Sequence, residues 1–388
     1  MTSPIDLHQA CTLLGGISPG TFMRKHWQSK PLLVRQALPG VQPPLKRKEL
    51  FDLAARDNVE SRCVQRLDGQ VKESPGERWQ MRSGPLSRRM LPAARAPNWT
   101  LLVQGLDLHN QAAHDLLSRF RFVPEAQLDD LMMSWASDGG GVGPHLDSYD
   151  VFLIQVQGQR RWRIGRAADK SFVDGLPLKI LRNFAPTHEW LLEPGDMLYL
   201  PPQWAHEGVA VGECMTCSVG FRAASHQGLA SELLGRLADE AAEKVQRQPL
   251  LYRDGDQPAT ATPGAIPERL QLFARQSLTQ WLQRPQAVER ALGESLTEPK
   301  DQVWFDRTLG SNADQGVILA RGSRMMYDSL HIYLNGESYR AAGGDANFMR
   351  RLADQRALSS AACAQLSAGA GELLQQWLDQ GWLHGGDR

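Results

Sequence analysis

The sequence predicts an α+β protein: an antiparallel β sandwich or barrel, a helical region, and a small C-terminal domain of winged-helix type. Three observations predict it. Between Ser134 and Ala223, short apolar runs are separated by turn signals at 139–143, Gly158, Gly175, 193–196 and 212–213, the spacing of short antiparallel strands. After Ser225 the period turns helical, with Leu229, Leu233, Leu237 and Val245 on one face and a second helix from about Glu268 to Leu282. Finally, "GVILARGSRMMYDSLHIYLNGESYRA" reads as strands with Asn335-Gly336 as a hairpin dipeptide, and two or three short helices follow between Ala346 and Gln380.

The 388 residues exceed one average domain. The expected division is an N-terminal α/β extension over 1–95, the barrel over 96–225, the helical region over 226–300 and the small domain over 301–388. Within the extension, 5–15 reads as a short helix. "SPGTFMRKHWQSKPLLVRQAL" gives a capped helix and a strand at 31–35, and "KRKELFDLAAR" (46–56) gives an amphipathic helix. "WTLLVQGLDL" reads as a strand, "NQAAHDLLSRF" as a helix and "DDLMMSWAS" as a strand. Gly158 reads as a hairpin turn, and 253–267 as a linker by composition.

Lysine plus arginine and aspartate plus glutamate each number 43. No global charge favours nucleic acid or an anionic membrane. Five cysteines, odd in number and irregularly spaced, argue against a disulfide scaffold and for a reducing compartment. The first residues lack the apolar core of a signal peptide, and no run approaches the roughly 18 apolar residues of a membrane span. A cytoplasmic protein is expected.

The segment "GPHLDSYDVFLIQVQGQRRWRIG" places His145 and Asp147 one residue apart before an apolar run. On a strand, i and i+2 share a face, so both reach one ion. A third ligand is needed. "LLEPGDMLYLPPQWAHEGVAV" supplies His206, after a Pro-Gly-Asp turn, a strand at 197–200 and the double proline that ends it. A lone His-x-Asp is common by chance; glycine-rich entry, apolar strand and PGD–strand–Pro-Pro–His in this order are not. His188 lies before the turn in a loop-like stretch and ranks below His206. The other seven histidines read as surface or packing residues. Two imidazoles and a carboxylate leave open positions that suit non-haem Fe(II), although zinc accepts the same ligands. Cys214 and Cys217 stand three apart, on opposite faces of a strand, and read as structural thiols.

In "QRRWRIG", alternation puts Arg160 with Trp162 and Ile164 on the packed side. An inward arginine needs an anion. Beside an open metal site it would take the far carboxylate of a dicarboxylic acid such as 2-oxoglutarate.

These residues resemble a known family. "GGGVGPHLDSYDVFLIQ", "QRRWRIG", "LEPGDMLYLPPQWAHEG" and "SVGFR", with "FMRKHWQSKPLLVRQA" upstream, are similar to the JmjC-type 2-oxoglutarate oxygenases, and within them the bacterial ribosomal oxygenases. The resemblance covers most of 15–225. It implies a double-stranded β-helix of the cupin (jelly-roll) type, with His145, Asp147 and His206 as catalytic iron ligands. Arg160 would pair with the co-substrate carboxylate, and Ser134 and Ser218 would line its pocket. It further implies Fe(II), 2-oxoglutarate and O2 as cofactor and co-substrates, a dimer through the helices after Ser225, and a C-terminal winged helix. Bacterial members hydroxylate an arginine β-carbon in large-subunit ribosomal protein sixteen, releasing succinate and CO2, while eukaryotic relatives act on histidines. An arginine substrate needs acidic or aromatic partners at the pocket mouth, for which Asp138, Tyr149 and Asp150 are the candidates. Two other classes compete: a metal-binding cupin without oxygenase activity, which has no use for Arg160, and a ligand-sensing DNA-binding regulator. The latter needs a basic recognition helix, but Asp345 and Asp354 dilute Arg350, Arg351 and Arg356.

Overall fold

The computed structural model describes residues 6–67, 79–243, 250–307 and 313–386. Two compact units are present: one holds the chain to Ala223 together with Asp301–Trp304, the other Ala224–Lys300 and Phe305–Arg388. Val245, expected on the helical face, lies outside the described residues.

The first unit begins with α1 (Pro19–Lys25), β1 (Leu32–Val34), α2 (Arg47–Leu53), β2 (Ser61–Arg66), β3 (Trp79–Ser83) and β4 (Trp99–Val103). It continues through α3 (Leu106–His109), α4 (Gln111–Ser118), β5 (Leu128–Ala136), β6 (His145–Leu146), β7 (Val151–Arg166), β8 (His188–Leu192), β9 (Met197–Leu200) and β10 (Trp204–Phe221). Ser18 accepts the N–H of Thr21 and so caps α1, and Asn110 likewise caps α4 through Ala113. The expected helix over 5–15 is only a 3-10 turn at Thr12–Leu14, closed by Gly15 in the left-handed region. The strand expected over 99–108 stops at Val103, because Gly105 opens α3.

All ten strands pair antiparallel in the order β1-β9-β7-β10-β5-β4-β2-β3, with β6 on β10 and β8 on β7. Neither Gly158 nor the 212–213 pair ends a strand. β7 runs 16 residues and β10 runs 18 straight through them. Both glycines have positive φ, and the β7–β10 register shifts between Val211 and Met215. They form a bulge that bends the ribbon. A Cβ on Gly158 would collide with the Glu213 carbonyl oxygen, so the close approach itself requires glycine.

The bulge lets each long strand serve two sheets. Val151–Ile154 of β7 pairs with β9, whereas Arg160–Ile164 pairs with β8. The first half of β10 takes β6 and the second half takes β5. Val151 and Leu153 then share one apolar cluster with Trp162, Ile164, Leu192, Leu198 and Leu200, which strict alternation would forbid. This is the double-stranded β-helix, and that cluster lies in its interior. The opposite face of β5, β7 and β10 (Met133, Trp135, Phe152, Ile154, Met215, Cys217) joins the largest core, which Phe22 and Phe51 of the N-terminal helices cover.

In the second unit α5 (His226–Glu243), α6 (Glu268–Leu282) and α7 (Ala287–Thr297) precede β11 (Val317–Leu319), β12 (Met325–Tyr327), β13 (His331–Leu334) and β14 (Glu337–Arg340). Then come α8 (Asp345–Gln355), β15 (Ala357–Leu358), α9 (Ser360–Cys363), α10 (Ala368–Asp379) and β16 (Leu383–Gly385). The β13–β14 hairpin turns at Asn335-Gly336, both at positive φ, as expected. α7 was not foreseen. It packs small residues against the hairpin: the ring of Tyr333 sits where a Gly293 side chain would be, and Ser338 donates to Glu294 at 2.6 Å.

Candidate active site

β6 is two residues long, and its partner is the start of β10, with His145 directly opposite His206. The two rings lie 4.2 Å apart, centroid to centroid. Asp147 follows immediately. Its carbonyl accepts the Gln203 N–H, which ties the segment after β6 to the turn before β10. His206 Nε2 stands 3.5 Å from Asp147 Oδ2, and one ligand atom from each of the three residues falls within 4.8 Å of the others. Among the described residues this is the sole such cluster of three or more.

The backbone orients both rings. His145 Nδ1 lies 2.9 Å from the Gly143 carbonyl and His206 Nδ1 3.0 Å from the Trp204 carbonyl. Each Nδ1 therefore carries the proton and each Nε2 keeps its lone pair for an ion. Burial and the neighbouring His145 push the His206 pKa down, against the opposing pull of Asp147. His206 is thus neutral, the form that binds a metal. His188 is elsewhere: it is exposed on β8, stacked on Trp190 and paired with Thr187.

Ile164 of β7 is the cross-strand partner of His206, and four residues before it on the same face of β7 is Arg160, only 6 % exposed. Its Nε and Nη2 are buried and have no hydrogen-bond partner. Its cross-strand neighbour is Ala210, which packs with Ala136 and Cys214. Arg161 and Arg163 point outward and pair with Glu189 and Glu207. Ser134 and Ser218 are both buried on the interior face. Ser134 lies opposite Thr216, whose carbonyl accepts its hydroxyl at 3.4 Å. Cys214 faces this interior, whereas Cys217 faces the large core, so the pair is no chelate.

Two interior polar residues escaped the sequence reading. Gln155 and Thr216 are 0 % and 1 % exposed and bond to each other at 3.0 Å. A polar residue in the middle of "VFLIQVQ" was the available signal for Gln155.

The three mouth candidates do not converge. Asp138 is exposed, and its Oδ1 accepts the Gly212 N–H at 2.8 Å, pinned over the β10 bulge. Tyr149 stands beside Asp147; burial and the carboxylates of Asp147 and Asp130 raise its phenol pKa. Asp150 is buried away from the triad, where it accepts the Tyr199 hydroxyl at 2.5 Å and the Gln28 amide at 3.3 Å.

The residues fit the groups that the resemblance implied. A neutral-imidazole pair with one carboxylate suits Fe(II), and an orphaned buried guanidinium suits a dicarboxylate. Comparisons with known proteins agree. Residues 115–229 match the JmjC domain model and 275–384 the ROXA-like winged helix model. Ribosomal protein uL16 3-hydroxylase of Escherichia coli is 32 % identical over 328 residues, 81 % of this chain and 84 % of that protein. A probable ribosomal oxygenase of Haemophilus influenzae is 37 % identical over 213 residues, covering 53 % of this chain and 50 % of the relative. The E. coli ribosomal oxygenase YcfD, solved with cobalt and 2-oxoglutarate, superposes with a TM-score of 0.77 at 28 % identity, over 94 % of this chain and 97 % of that one. A JmjC fold with a winged helix, and a relative this similar across most of both lengths, place the chain in the bacterial ribosomal oxygenase family of JmjC-type 2-oxoglutarate oxygenases.

Proposed function

We propose that this chain hydroxylates the β-carbon of an arginine in ribosomal protein uL16, using Fe(II), O2 and 2-oxoglutarate. The observation that carries the reading is the buried Arg160 with unpartnered nitrogens, set beside Trp162, whose ring lies 5.9 Å from that of His206 in the triad. A metal-binding cupin without oxygenase chemistry gives that costly side chain nothing to do. The name of the E. coli relative supports uL16 as substrate.

In this reading His145, Asp147 and His206 hold the iron. Bound Fe(II) couples oxidation of 2-oxoglutarate to succinate and CO2 with insertion of one oxygen atom into a C–H bond. The protein binds, aims and shields. Arg160 anchors the far carboxylate by a charge-assisted bond in a low-dielectric site, with Ser134 and Ser218 lining that end. The interior cluster around Leu153, Ile164 and Leu198 excludes water. Tyr149, beside Asp147, is the candidate placed to meet a guanidinium; Asp138, held on the β10 bulge, and Asp150 act within the fold instead.

The helices from 226 to 300 are the proposed dimer region. α6 buries none of its residues and exposes Leu272, Leu278 and Leu282, which a second copy would cover. The winged helix supports protein binding better than DNA reading. Arg350 donates to the Ser329 carbonyl and Arg356 is buried, donating to Ala320 and Ser323. No described helix is long and apolar enough to cross a membrane, in keeping with action in the cytoplasm.

The test incubates the protein with Fe(II), 2-oxoglutarate, O2 and uL16 peptides, then localises any added oxygen atom by fragmentation mass spectrometry. Oxygen on an arginine β-carbon is expected. Oxygen on a histidine instead, or succinate formed with no peptide oxidised, would overturn the substrate assignment.

A further inference from the structure

Arg160 is not the sole residue of β7 with a stranded polar group. The indole Nε1–H of Trp162 is also buried with no hydrogen-bond partner, in a side chain 5 % exposed. Leaving such a donor unpaired costs free energy that a phenyl ring in the same place would avoid.

The ring is held firmly. Trp162 lies opposite Gly208 on β10, and its six-membered ring covers that glycine so closely that a Cβ there would stand 2.7 Å from the ring. The Arg160 guanidinium lies over its face, 5.7 Å from the centroid. The ring centroid is also 5.9 Å from that of His206, whose cross-strand partner Ile164 stands two residues beyond Trp162 on the side away from Arg160. Trp162 thus occupies the stretch between the cation and the metal-binding residues, on the barrel face shared by Arg160 and Ile164. A five-carbon diacid anchored at one end by Arg160 and at the other by iron must pass this ring.

We propose that Trp162 is a co-substrate-binding residue: its indole N–H donates a hydrogen bond to an oxygen of 2-oxoglutarate. This rests on the co-substrate reading above and adds to it a specific donor. One ligand then satisfies both of the unpartnered side chains of β7. It also accounts for Gly208, since any side chain there would displace the indole.

The experiment separates the N–H from the ring. Trp162 is replaced by 3-benzothienylalanine, an isostere with sulfur in place of N–H, and separately by phenylalanine (Trp162→Phe). Binding of Mn(II), and then of 2-oxoglutarate to the Mn(II)-loaded protein, is measured by anaerobic calorimetry. The isostere is expected to bind Mn(II) as wild type does and 2-oxoglutarate about 10- to 150-fold more weakly, the loss of one hydrogen bond to a charged acceptor. Wild-type affinity for 2-oxoglutarate in the isostere would overturn the proposal and leave the co-substrate reading intact. Weakened Mn(II) binding in the isostere would also overturn it, by showing that the indole serves the metal ligands. No 2-oxoglutarate binding by the wild type would overturn the reading and the proposal together.

Discussion

The interior of the barrel and the surface of α6 break the same rule in opposite directions. In the barrel, polar nitrogens of Arg160 and Trp162 are buried without partners. On α6, Leu278 is 68 % exposed and Leu272 55 %. Either defect is relieved when something outside the chain supplies the missing contact. The chemistry of each defect indicates what that is. Stranded donors ask for an acidic small molecule, and stranded leucines ask for an apolar surface. The rest of the first unit shows what completion looks like: Trp99, Trp135 and Phe51 pack in tilted and edge-on contacts at centroid distances of 4.6–5.7 Å and are buried.

The comparison breaks hardest at the metal. His206→Ala removes a proposed ligand whose neutral state and ring orientation the fold provides. Iron affinity should fall by more than about 100-fold, the upper range for losing merely a ligand's hydrogen-bond partner. Anaerobic Fe(II) titration with equilibrium dialysis reads this, and near-wild-type binding would mean that the triad is not the iron site. Arg160→Met comes next and separates function from stability. Losing the anchor should weaken 2-oxoglutarate by about 2–4 kcal/mol, roughly 30- to 1,000-fold. Yet the ligand-free variant should melt at or above the wild-type temperature, because methionine fills similar space and removes an unpaired buried charge. A lower melting temperature would show that Arg160 stabilises the empty fold. On the helix, the proposed dimer predicts that wild type sediments as a dimer at micromolar concentration and that Leu278→Asp shifts it toward monomer; a monomeric wild type would remove the dimer reading. The variant should leave 2-oxoglutarate binding unchanged, because the leucine serves a different partner.

How far these features were legible depends on whether one residue carries the signal or a relation between residues does. His145, Asp147 and His206 were legible because PGD, Pro-Pro and the glycine-rich entry are local punctuation. Arg160 was legible because alternation holds from 160 to 164. Gly158 was not, because a glycine at positive φ serves a hairpin and a bulge equally well, and only pairing decides. Its clue was parity: Leu153 and Trp162 belong to one cluster but stand an odd number apart. Thr216 was hidden because its partner Gln155 lies on a different strand, whereas a polar residue amid apolar ones did mark Gln155. α7 was missed for a related reason. Its buried residues include Ala287 and Ala291, which pack with Leu237 of α5, and Gly293, which admits Tyr333, and such small residues give little apolar periodicity.

The smallest effect is expected where a buried polar group already has its partners. Asp150 is as buried as Arg160 but accepts bonds from Tyr199 and Gln28. Burial raises its pKa, and those two hydrogen bonds oppose the rise. Tyr199→Phe removes the stronger donor, so the Asp150 pKa should climb further and the fold should lose about 1–3 kcal/mol at pH 7. The hydroxyl stabilises the ionised carboxylate, so its contribution is present above the folded-state pKa of Asp150 and is lost as pH falls through it. Urea unfolding of wild type and variant should therefore show a gap that is widest at neutral pH and narrows toward acid. 2-Oxoglutarate should stabilise both proteins equally. A gap that 2-oxoglutarate closes would mean that Asp150 belongs with Arg160, as a group completed by the ligand.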